Sequence, residues 1–305
     1  MTNRPILWTP SDARADASTM AGFIRFLSDT RDLNFDDYQA LWRWSVEDLD
    51  GFWAAIRDFF DLQITAPTGV ILENNQMPGA RWFPGAQVNF AAQLLKQAGK
   101  TPDGVALVVH SETFGHRSLR WQELSSQVAS VAQNLRAMGI GKGDRVVAVL
   151  PNTDVAMIAF LATASLGAIW SLCAPDMGHV AILDRFRQIE PKVMIAQDGY
   201  VHAGKTIDRR EVLKTISDGL PTLTHIVSVP AIGPAPDGAT LWSDMISDDA
   251  ELRFEQVDFD HPLWVVYSSG TTGTPKPIVQ GHGGVLLEGA KQSLHQDLTA
   301  KDRFL

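Results

Sequence analysis

A hydroxyl-rich, glycine-containing stretch that ends in a lysine is the most chemically suggestive feature of the chain. It reads Tyr-Ser-Ser-Gly-Thr-Thr-Gly-Thr-Pro-Lys at residues 267–276. Gly270 and Gly273 allow the backbone to turn so that its amide hydrogens point inward as a nest of donors. Further donors and one positive charge come from the side chains of Ser268, Ser269, Thr271, Thr272, Thr274 and Lys276. The pattern predicts a loop that binds the phosphates of ATP.

The residues on either side of the loop support this interpretation. An apolar run at 263–267 predicts a buried strand that leads into the loop, and a helix is expected after Gly284. Pro275 and Pro277 restrict the backbone at the loop exit, so less conformational entropy is lost when a ligand binds. A Walker A sequence cannot be placed here, and the alternative to a phosphate loop is an ordinary Gly/Ser/Thr surface linker.

Other candidate reactive side chains are few. His282, in the Gly-His-Gly-Gly run at 281–284, either faces the same site or occupies a turn. Cys173 is the single cysteine, and it follows an apolar run without a neighbouring histidine or basic residue, which predicts a buried structural thiol rather than a nucleophile. One cysteine allows no internal disulfide, which fits a reducing cytosol. No His, Cys and Glu residues have the spacing of zinc ligands, so no protein metal site is predicted.

The elements that must position the loop alternate between short apolar strands and helices. Strands are predicted at 105–109, 116–121, 145–150, 168–172, 193–196 and 225–229, with helices at 124–138, 154–166 and 179–189. This alternation predicts a parallel α/β sheet that is covered by helices on both faces. Glycines 139, 141 and 143 follow a helix and precede a strand, the reverse of a dinucleotide-binding turn, so they are predicted to cap and turn the chain.

The first eighty-odd residues are rich in aromatic side chains. Leu49, Phe52, Trp53, Ile56 and Phe60 have helical spacing, and the sequence at 45–48 predicts that this helix begins at Ser45. The stripe is interpreted as a packing surface rather than a ligand cage. Residues 1–95 are therefore predicted to form an aromatic-rich N-terminal segment, followed by a nucleotide-binding domain from residue 96 to residue 305.

Charge and hydropathy exclude two classes of partner. The 26 basic and 35 acidic residues give a net charge of −9, which argues against a nucleic-acid-binding face. Residues 155–174 carry no charge and are long enough to cross a membrane, but their Thr, Ser and Gly residues favour a helix followed by a buried strand. No membrane span and no nucleic-acid partner are therefore expected.

The stretch at 267–276 resembles the phosphate-binding motif of the adenylate-forming superfamily, which includes acyl-CoA synthetases, peptide-synthetase adenylation domains and luciferases. Within that superfamily the chain is most similar to the acetoacetyl-CoA synthetases. The aromatic N-terminal segment resembles the one that these enzymes share with acetyl-CoA synthetases. The matching segments are residues 8–10, 38–45, 52–53, 80–85, 160–171, 175–176, 183–192, 277–279 and 281–284.

The resemblance implies a fold and an activity. The fold would be the large N-terminal domain of the adenylate-forming enzymes, an α/β domain of mostly parallel sheets flanked by helices. The activity would be that of an AMP-forming acid–thiol ligase, in which acetoacetate and ATP with Mg²⁺ give acetoacetyl-adenylate, and coenzyme A then displaces AMP. Residues 268–276 would hold the β- and γ-phosphates, with Lys276 as the catalytic residue. A cytoplasmic enzyme of ketone-body and lipid metabolism is expected.

One departure from the family is large, because its members continue well beyond residue 305. Their later segments carry the acyl-pocket motif, a ribose-binding aspartate, a hinge and a mobile C-terminal domain. The chain is therefore expected to be an incomplete N-terminal portion that cannot complete either half-reaction alone. Three alternatives stay open: a ligase for acetate, propionate or a similar short-chain acid, a non-catalytic nucleotide-binding module, and a peptide-synthetase adenylation domain. The tryptophan-rich N-terminal segment argues against the last.

Overall fold

Two compact units make up the structure, a computed structural model that describes residue 5 and residues 7–247, 249–268 and 273–304. One unit comprises the chain up to Ala86 and again from Gly284 onward. The other is continuous, from Gln87 to Gly283.

The N-terminal part of the first unit is a group of helices followed by one short strand pair. Its elements are α1 Asp12–Asp16, α2 Thr19–Arg31, α3 Tyr38–Glu47, α4 Leu49–Phe59, β1 Leu72–Asn74 and β2 Arg81–Trp82. Aromatic packing holds the helices together, since the ring centroid of Phe23 lies 6.2 Å from that of Phe52 and 5.2 Å from that of Phe59. The predicted aromatic stripe is thus a packing surface.

The helix start predicted at Ser45 is wrong. Ser45 lies inside α3, where its hydroxyl donates to the carbonyl oxygen of Trp42 at 2.7 Å. The next helix, α4, begins instead after Asp48, whose carboxylate accepts the backbone N–H of Gly51 at 2.9 Å. A serine can satisfy the backbone of its own helix as well as cap a new one, and the sequence does not distinguish the two.

The second unit contains most of the strands. Its elements are β3 Gln87–Val88, α5 Phe90–Lys100, β4 Val105–Ser111, β5 Gly115–Arg120, α6 Trp121–Ala137, β6 Arg145–Val149, α7 Asp154–Ser165, β7 Ile169–Cys173, α8 His179–Phe186, β8 Val193–Gln197, β9 Gly199–His202, β10 Lys205–Asp208, α9 Arg210–Asp218, β11 His225–Val229, β12 Thr240–Leu241, α10 Trp242–Met245, β13 Val257–Asp258, β14 Pro262–Ser268 and β15 Lys276–Gly281. The last helix, α11 His282–Gln296, follows β15 directly.

A seven-stranded sheet organises this unit, with the strand order β12-β11-β8-β6-β7-β14-β15. The pairs from β12 to β14 are parallel, and β15 closes the edge antiparallel to β14. Three short antiparallel pairs accompany the sheet: β3 with β13, β4 with β5, and β9 with β10. Because parallel strands run in one direction, the loops after β6, β7, β8, β11 and β14 leave from the same edge of the sheet.

Alternation along the strands directs side chains into two layers of core. Val147 and Val149 of β6 pack with side chains of α8 and α9, including Ile182, Phe186 and Ile216. Helices α5, α6 and α7 pack against one another. Phe160 of α7 reaches two strands of the sheet, with ring centroids 6.3 Å from Trp170 and 5.5 Å from Trp264.

The predicted fold class is confirmed: this is a mostly parallel α/β sheet with helices around it. Residues 155–174 form the rest of α7 and then β7, as expected. Among the helices of the described residues, none has both the length and the apolar content of a membrane-crossing segment. The hairpin β9–β10 was not predicted, because its four-residue strands carry little apolar periodicity.

Candidate phosphate-binding site

The predicted phosphate loop joins two antiparallel strands rather than a strand and a helix. It leaves the end of β14 at Ser268 and returns as β15 at Lys276. The register places Ser268 directly opposite Lys276, so the hydroxyl and the ammonium group come from neighbouring positions at the mouth of the loop. The expected helix begins only after β15, at His282 rather than after Gly284.

The described part of the loop fits an anion-binding turn. Gly273 has a φ of 111°, a conformation that side-chain-bearing residues rarely adopt, which explains glycine at this position. Ser268, Thr274 and Lys276 are exposed, and Lys276 forms no ion pair with any residue among those that the structure describes. The predicted ligands Ser269, Gly270, Thr271 and Thr272 lie outside the described residues.

The strand before the loop is only half-buried, and this corrects the expectation of a buried strand. Leu263 and Val265 are buried, whereas Val266 is 45% exposed. Strand β14 has only the edge strand β15 on one side, and Val266 pairs with the equally exposed Ile278. One face of this strand pair is therefore buried and the other is open.

A contact from α8 and the turn after it holds the loop exit. The side-chain amide of Gln188 donates to the carbonyl oxygen of Pro275 at 3.0 Å and to that of Asp184 at 2.6 Å. Because Pro275 immediately precedes Lys276, this contact fixes the backbone from which the lysine projects. Restricting that backbone before a ligand arrives reduces the entropy lost on binding.

The residue before the loop is anchored to the same helix. The hydroxyl of Tyr267 donates to the carbonyl oxygen of Arg185 at 2.9 Å, and the guanidinium carbon of Arg185 lies 5.7 Å from the centroid of the Tyr267 ring. Burial raises the pKa of Tyr267 to about 12, so the hydroxyl keeps its proton and remains a donor at neutral pH. Tyr267 is therefore an anchor for the start of the loop.

Cys173 lies at the end of β7 and is a buried structural thiol, as predicted. It is 3% exposed and belongs to the core that packs against α8 and α9. Burial raises the pKa of its thiol to about 11, with the positive charge of Arg185 opposing the shift. A buried thiol that keeps its proton is a poor nucleophile, so the surroundings of Cys173 do not favour covalent chemistry.

His282 is a core residue at the start of α11, which matches neither of the two alternatives left by the sequence, a side chain that faces the loop or a residue in a turn. Its ring is fully buried, and Nδ1 accepts the backbone N–H of Phe90 at 3.0 Å. Burial lowers the pKa of His282 to about 3, with the neighbouring ring of His261 adding to the shift.

The glycine that follows His282 is required by packing, because a Cβ at Gly283 would lie 2.2 Å from the Phe259 ring.

The donor set of the described residues suits phosphate better than a resident multi-ligand metal. Within residues 7–247, 249–268 and 273–304, no group of three or more His, Cys, Asp or Glu side chains could together hold a metal ion. A hydroxyl and an ammonium group at the mouth of a glycine-containing turn offer hydrogen-bond donors, which bind anions.

Two family models match the chain. The chain matches the family model described as "AMP-binding enzyme" over residues 94–305. It matches the model described as "Acetyl-coenzyme A synthetase N-terminus" over residues 38–94. The chain belongs to the AMP-binding enzyme family. The loop at 267–276 lies within the part of the chain that the AMP-binding enzyme model covers.

Relatives of this AMP-binding enzyme include two curated acetoacetyl-CoA synthetases and one solved structure. The chain is 39% identical to the acetoacetyl-coenzyme A synthetase of Rhizobium meliloti (strain 1021), over 94% of this chain and 44% of that protein. It is 35% identical to the acetoacetyl-CoA synthetase of Macaca fascicularis, over 98% of this chain and 46% of that protein. The structure of acetoacetyl-CoA synthetase from Streptomyces lividans matches with a TM-score of 0.95 and 45% identity, covering 99% of this chain and 47% of that one.

The chain therefore spans about half the length of the curated relatives it matches. These matches confirm the family resemblance inferred from the sequence and the adenylate-forming fold. Within the predicted N-terminal segment, residues 38–94 match a family model separate from the one that covers residues 94–305.

Sequence reasoning missed the residues that anchor the loop. Gln188 and Arg185 lie 87 and 82 residues away from their partners in the chain, Pro275 and Tyr267. Both belong to the segment 183–192, which the sequence marked only as resembling the family. No local spacing signal links an amide side chain to a distant backbone carbonyl, so only the fold identifies them.

Proposed function

We propose that this chain is the ATP-phosphate-binding part of an AMP-forming acid–CoA ligase that acts on acetoacetate. The observation that carries the proposal is the loop between β14 and β15. At its mouth Ser268 lies opposite Lys276, which is exposed and forms no ion pair with any described residue. Membership of the AMP-binding enzyme family supports the reaction type. The printed names of the relatives support acetoacetate as the acid.

The proposed reaction has two steps. A carboxylate oxygen of acetoacetate attacks the α-phosphorus of ATP, the bond to the β-phosphate oxygen breaks, and pyrophosphate leaves with the bonding electrons. The thiolate sulfur of coenzyme A then attacks the acyl carbon of the adenylate, and AMP leaves. Mg²⁺, bound by phosphate oxygens and water, would neutralise part of the charge on ATP.

In this proposal the loop acts on the leaving group. Ser268, Ser269, Gly270, Thr271, Thr272, Gly273, Thr274 and Lys276 hold the β- and γ-phosphates. As the bond to the α-phosphorus breaks, negative charge increases on the departing pyrophosphate, and fixed donors with a full positive charge stabilise that change. Lys276 contributes the charge, and Gln188 keeps its backbone in place.

The proposal extends to the organisation of the whole enzyme. Residues 1–95 would be the acetyl-CoA-synthetase-type N-terminal segment, and residues 96–305 the first part of the adenylation domain. The remaining half of the reaction centre would come from a segment such as the second half of the relatives, which this chain does not match. The setting would be cytoplasmic ketone-body and lipid metabolism.

A phosphate-binding experiment on the chain tests the role of the loop. Pyrophosphate and ATP are titrated into the wild-type chain and into Lys276→Ala by calorimetry. We expect the variant to bind with an affinity at least about tenfold lower, because one charge-assisted hydrogen bond is lost. Lys142→Ala is the matched control, since Lys142 is exposed in the turn that precedes β6, at the opposite edge of the parallel strands. Equal affinities for wild type and Lys276→Ala would sink the proposed role.

The acid substrate requires a protein that contains the second half. A chimera of these 305 residues with the second half of the Rhizobium meliloti relative is assayed for pyrophosphate release with acetoacetate, acetate and propionate. We expect acetoacetate to give the highest kcat/KM. A preference for acetate or propionate would replace the acid but keep the reaction type, and the chain alone is expected to release no pyrophosphate.

A further inference from the structure

Two histidines face each other across the hairpin of β4 and β5, a strand pair that is separate from the seven-stranded sheet. His110 and His116 are directly opposite in the register of the two strands, and both side chains are exposed. Their Nδ1 atoms are 3.2 Å apart, and their ring centroids are 4.3 Å apart. Neither ring is needed to fill the core, because the neighbouring Val109 turns to the buried side.

We propose that His110 and His116 form a two-histidine binding site for a divalent transition-metal ion such as Ni²⁺, Cu²⁺ or Zn²⁺. Imidazole nitrogen is a favoured ligand for all three ions. With metal–nitrogen bonds of about 2.0–2.1 Å, two nitrogens 3.2 Å apart subtend an angle of roughly 100–106° at the ion. That angle lies between the octahedral and tetrahedral values, so the separation of the two nitrogens is compatible with one shared ion.

The hairpin holds the pair in place before any ion arrives. The hydroxyl of Ser111 accepts the backbone N–H groups of Thr113 and Phe114, which stiffens the turn between the two histidines. The Glu112 carboxylate accepts the backbone N–H groups of Ala203 and Gly204, which ties the tip of the hairpin to the β9–β10 hairpin. Ligands on fixed strands lose less entropy on binding than ligands on mobile loops.

Two protein ligands leave coordination positions for water or an exchangeable anion, so the site is expected to be reversible rather than structural. Without a metal, the short Nδ1–Nδ1 distance corresponds to one ring donating to the other. Binding replaces that shared proton with the ion, and each nitrogen must be neutral to coordinate.

Calorimetric titration of the metal-stripped, untagged chain with NiCl₂ tests the site. We expect about one equivalent to bind, and His110→Gln and His116→Gln each to weaken binding by about tenfold or more, because a chelate becomes a single ligand. His295→Gln, which changes one exposed histidine on α11, is the control and should bind as wild type does. Exposed substitutions of this kind change stability little, and circular dichroism checks that each variant folds.

Electron paramagnetic resonance of the Cu²⁺ complex gives an independent readout. We expect coupling to two equivalent imidazole nitrogens in wild type and to one in each single variant. The proposal is overturned if wild type shows no saturable binding, or if either single variant binds Ni²⁺ within about twofold of wild type. Neither measurement depends on ATP or on ligase activity.

Discussion

The buried imidazole of His282 makes the stability of the second unit depend on pH. Its ring is fully buried against Phe90 and His261, and its pKa is lowered from 6.5 to about 3. The unfolded chain binds a proton as the pH falls through about 6.5, whereas the folded chain does not until the pH approaches 3. The contribution of neutral His282 is therefore fully present above pH 6.5 and is lost progressively as the pH falls toward 3.

The size of the effect follows from the two pKa values. At pH 5 the unfolded state is protonated at His282 in nearly all molecules and the folded state in almost none. Linkage then predicts a loss of about 2 kcal/mol in the free energy of unfolding between pH 7.5 and pH 5. Other groups also titrate in this range, so a variant that lacks only this titration must be compared with wild type.

His282→Asn is the appropriate perturbation. The side-chain oxygen of asparagine can still accept the backbone N–H of Phe90, but the residue no longer titrates. Urea unfolding is followed by tryptophan fluorescence at pH 7.5 and pH 5, because Trp170 and Trp264 lie in the same unit. We expect the difference in the free energy of unfolding, wild type minus variant, to be about 2 kcal/mol smaller at pH 5 than at pH 7.5.

The matched control is His295→Asn, which removes an exposed histidine from the last turn of α11. It should preserve the wild-type dependence on pH. If His282→Asn and wild type lose the same free energy between the two pH values, the reasoning from burial is refuted.

Three further predictions concern packing, reactivity and the loop. Gly283→Ala should lower the free energy of unfolding, measured in urea, by about 1–3 kcal/mol, because the new Cβ would lie 2.2 Å from the Phe259 ring. Gly284→Ala is the control: a Cβ there meets nothing within 4 Å, so it should cause no such loss. Cys173 should react with iodoacetamide at least about 100-fold more slowly in the native chain than in urea, because it is buried and its pKa is raised from 9.0 to about 11. Comparable rates in the two conditions would contradict this. Gln188→Ala should weaken pyrophosphate binding several-fold with the melting temperature unchanged, because the Pro275 carbonyl loses its anchor; unaltered binding would show that the contact does not position the loop.

Local patterns determined much of the architecture. The apolar runs predicted the positions of five parallel strands to within one or two residues, and the strand at 225–229 has the predicted bounds. Leu124, Val128, Val131 and Leu135 form the buried face of α6, as their spacing predicts. These successes share one cause, because the burial of a helix face or a strand depends on side chains that are close in sequence.

Long-range geometry accounts for what the sequence did not predict. The sequence predicts a stiff loop exit at Pro275 and Pro277 and a helix after Gly284, with no strand at 276–281. This segment forms the edge strand β15 instead, since an edge position tolerates proline and β14 offers it a backbone partner. Likewise, nothing near His282 reveals that its partner is the backbone of Phe90, 192 residues earlier.

The sequence by itself determined the family, the α/β class and the chemical character of the loop, because these depend on residue types at short spacing. Only the tertiary structure decided that Ser268 stands opposite Lys276, that Gln188 holds the loop exit and that His282 is a core residue. It also brought His110 and His116 together across a hairpin. Each of these depends on strand register or on contacts between distant segments, which composition and periodicity do not specify.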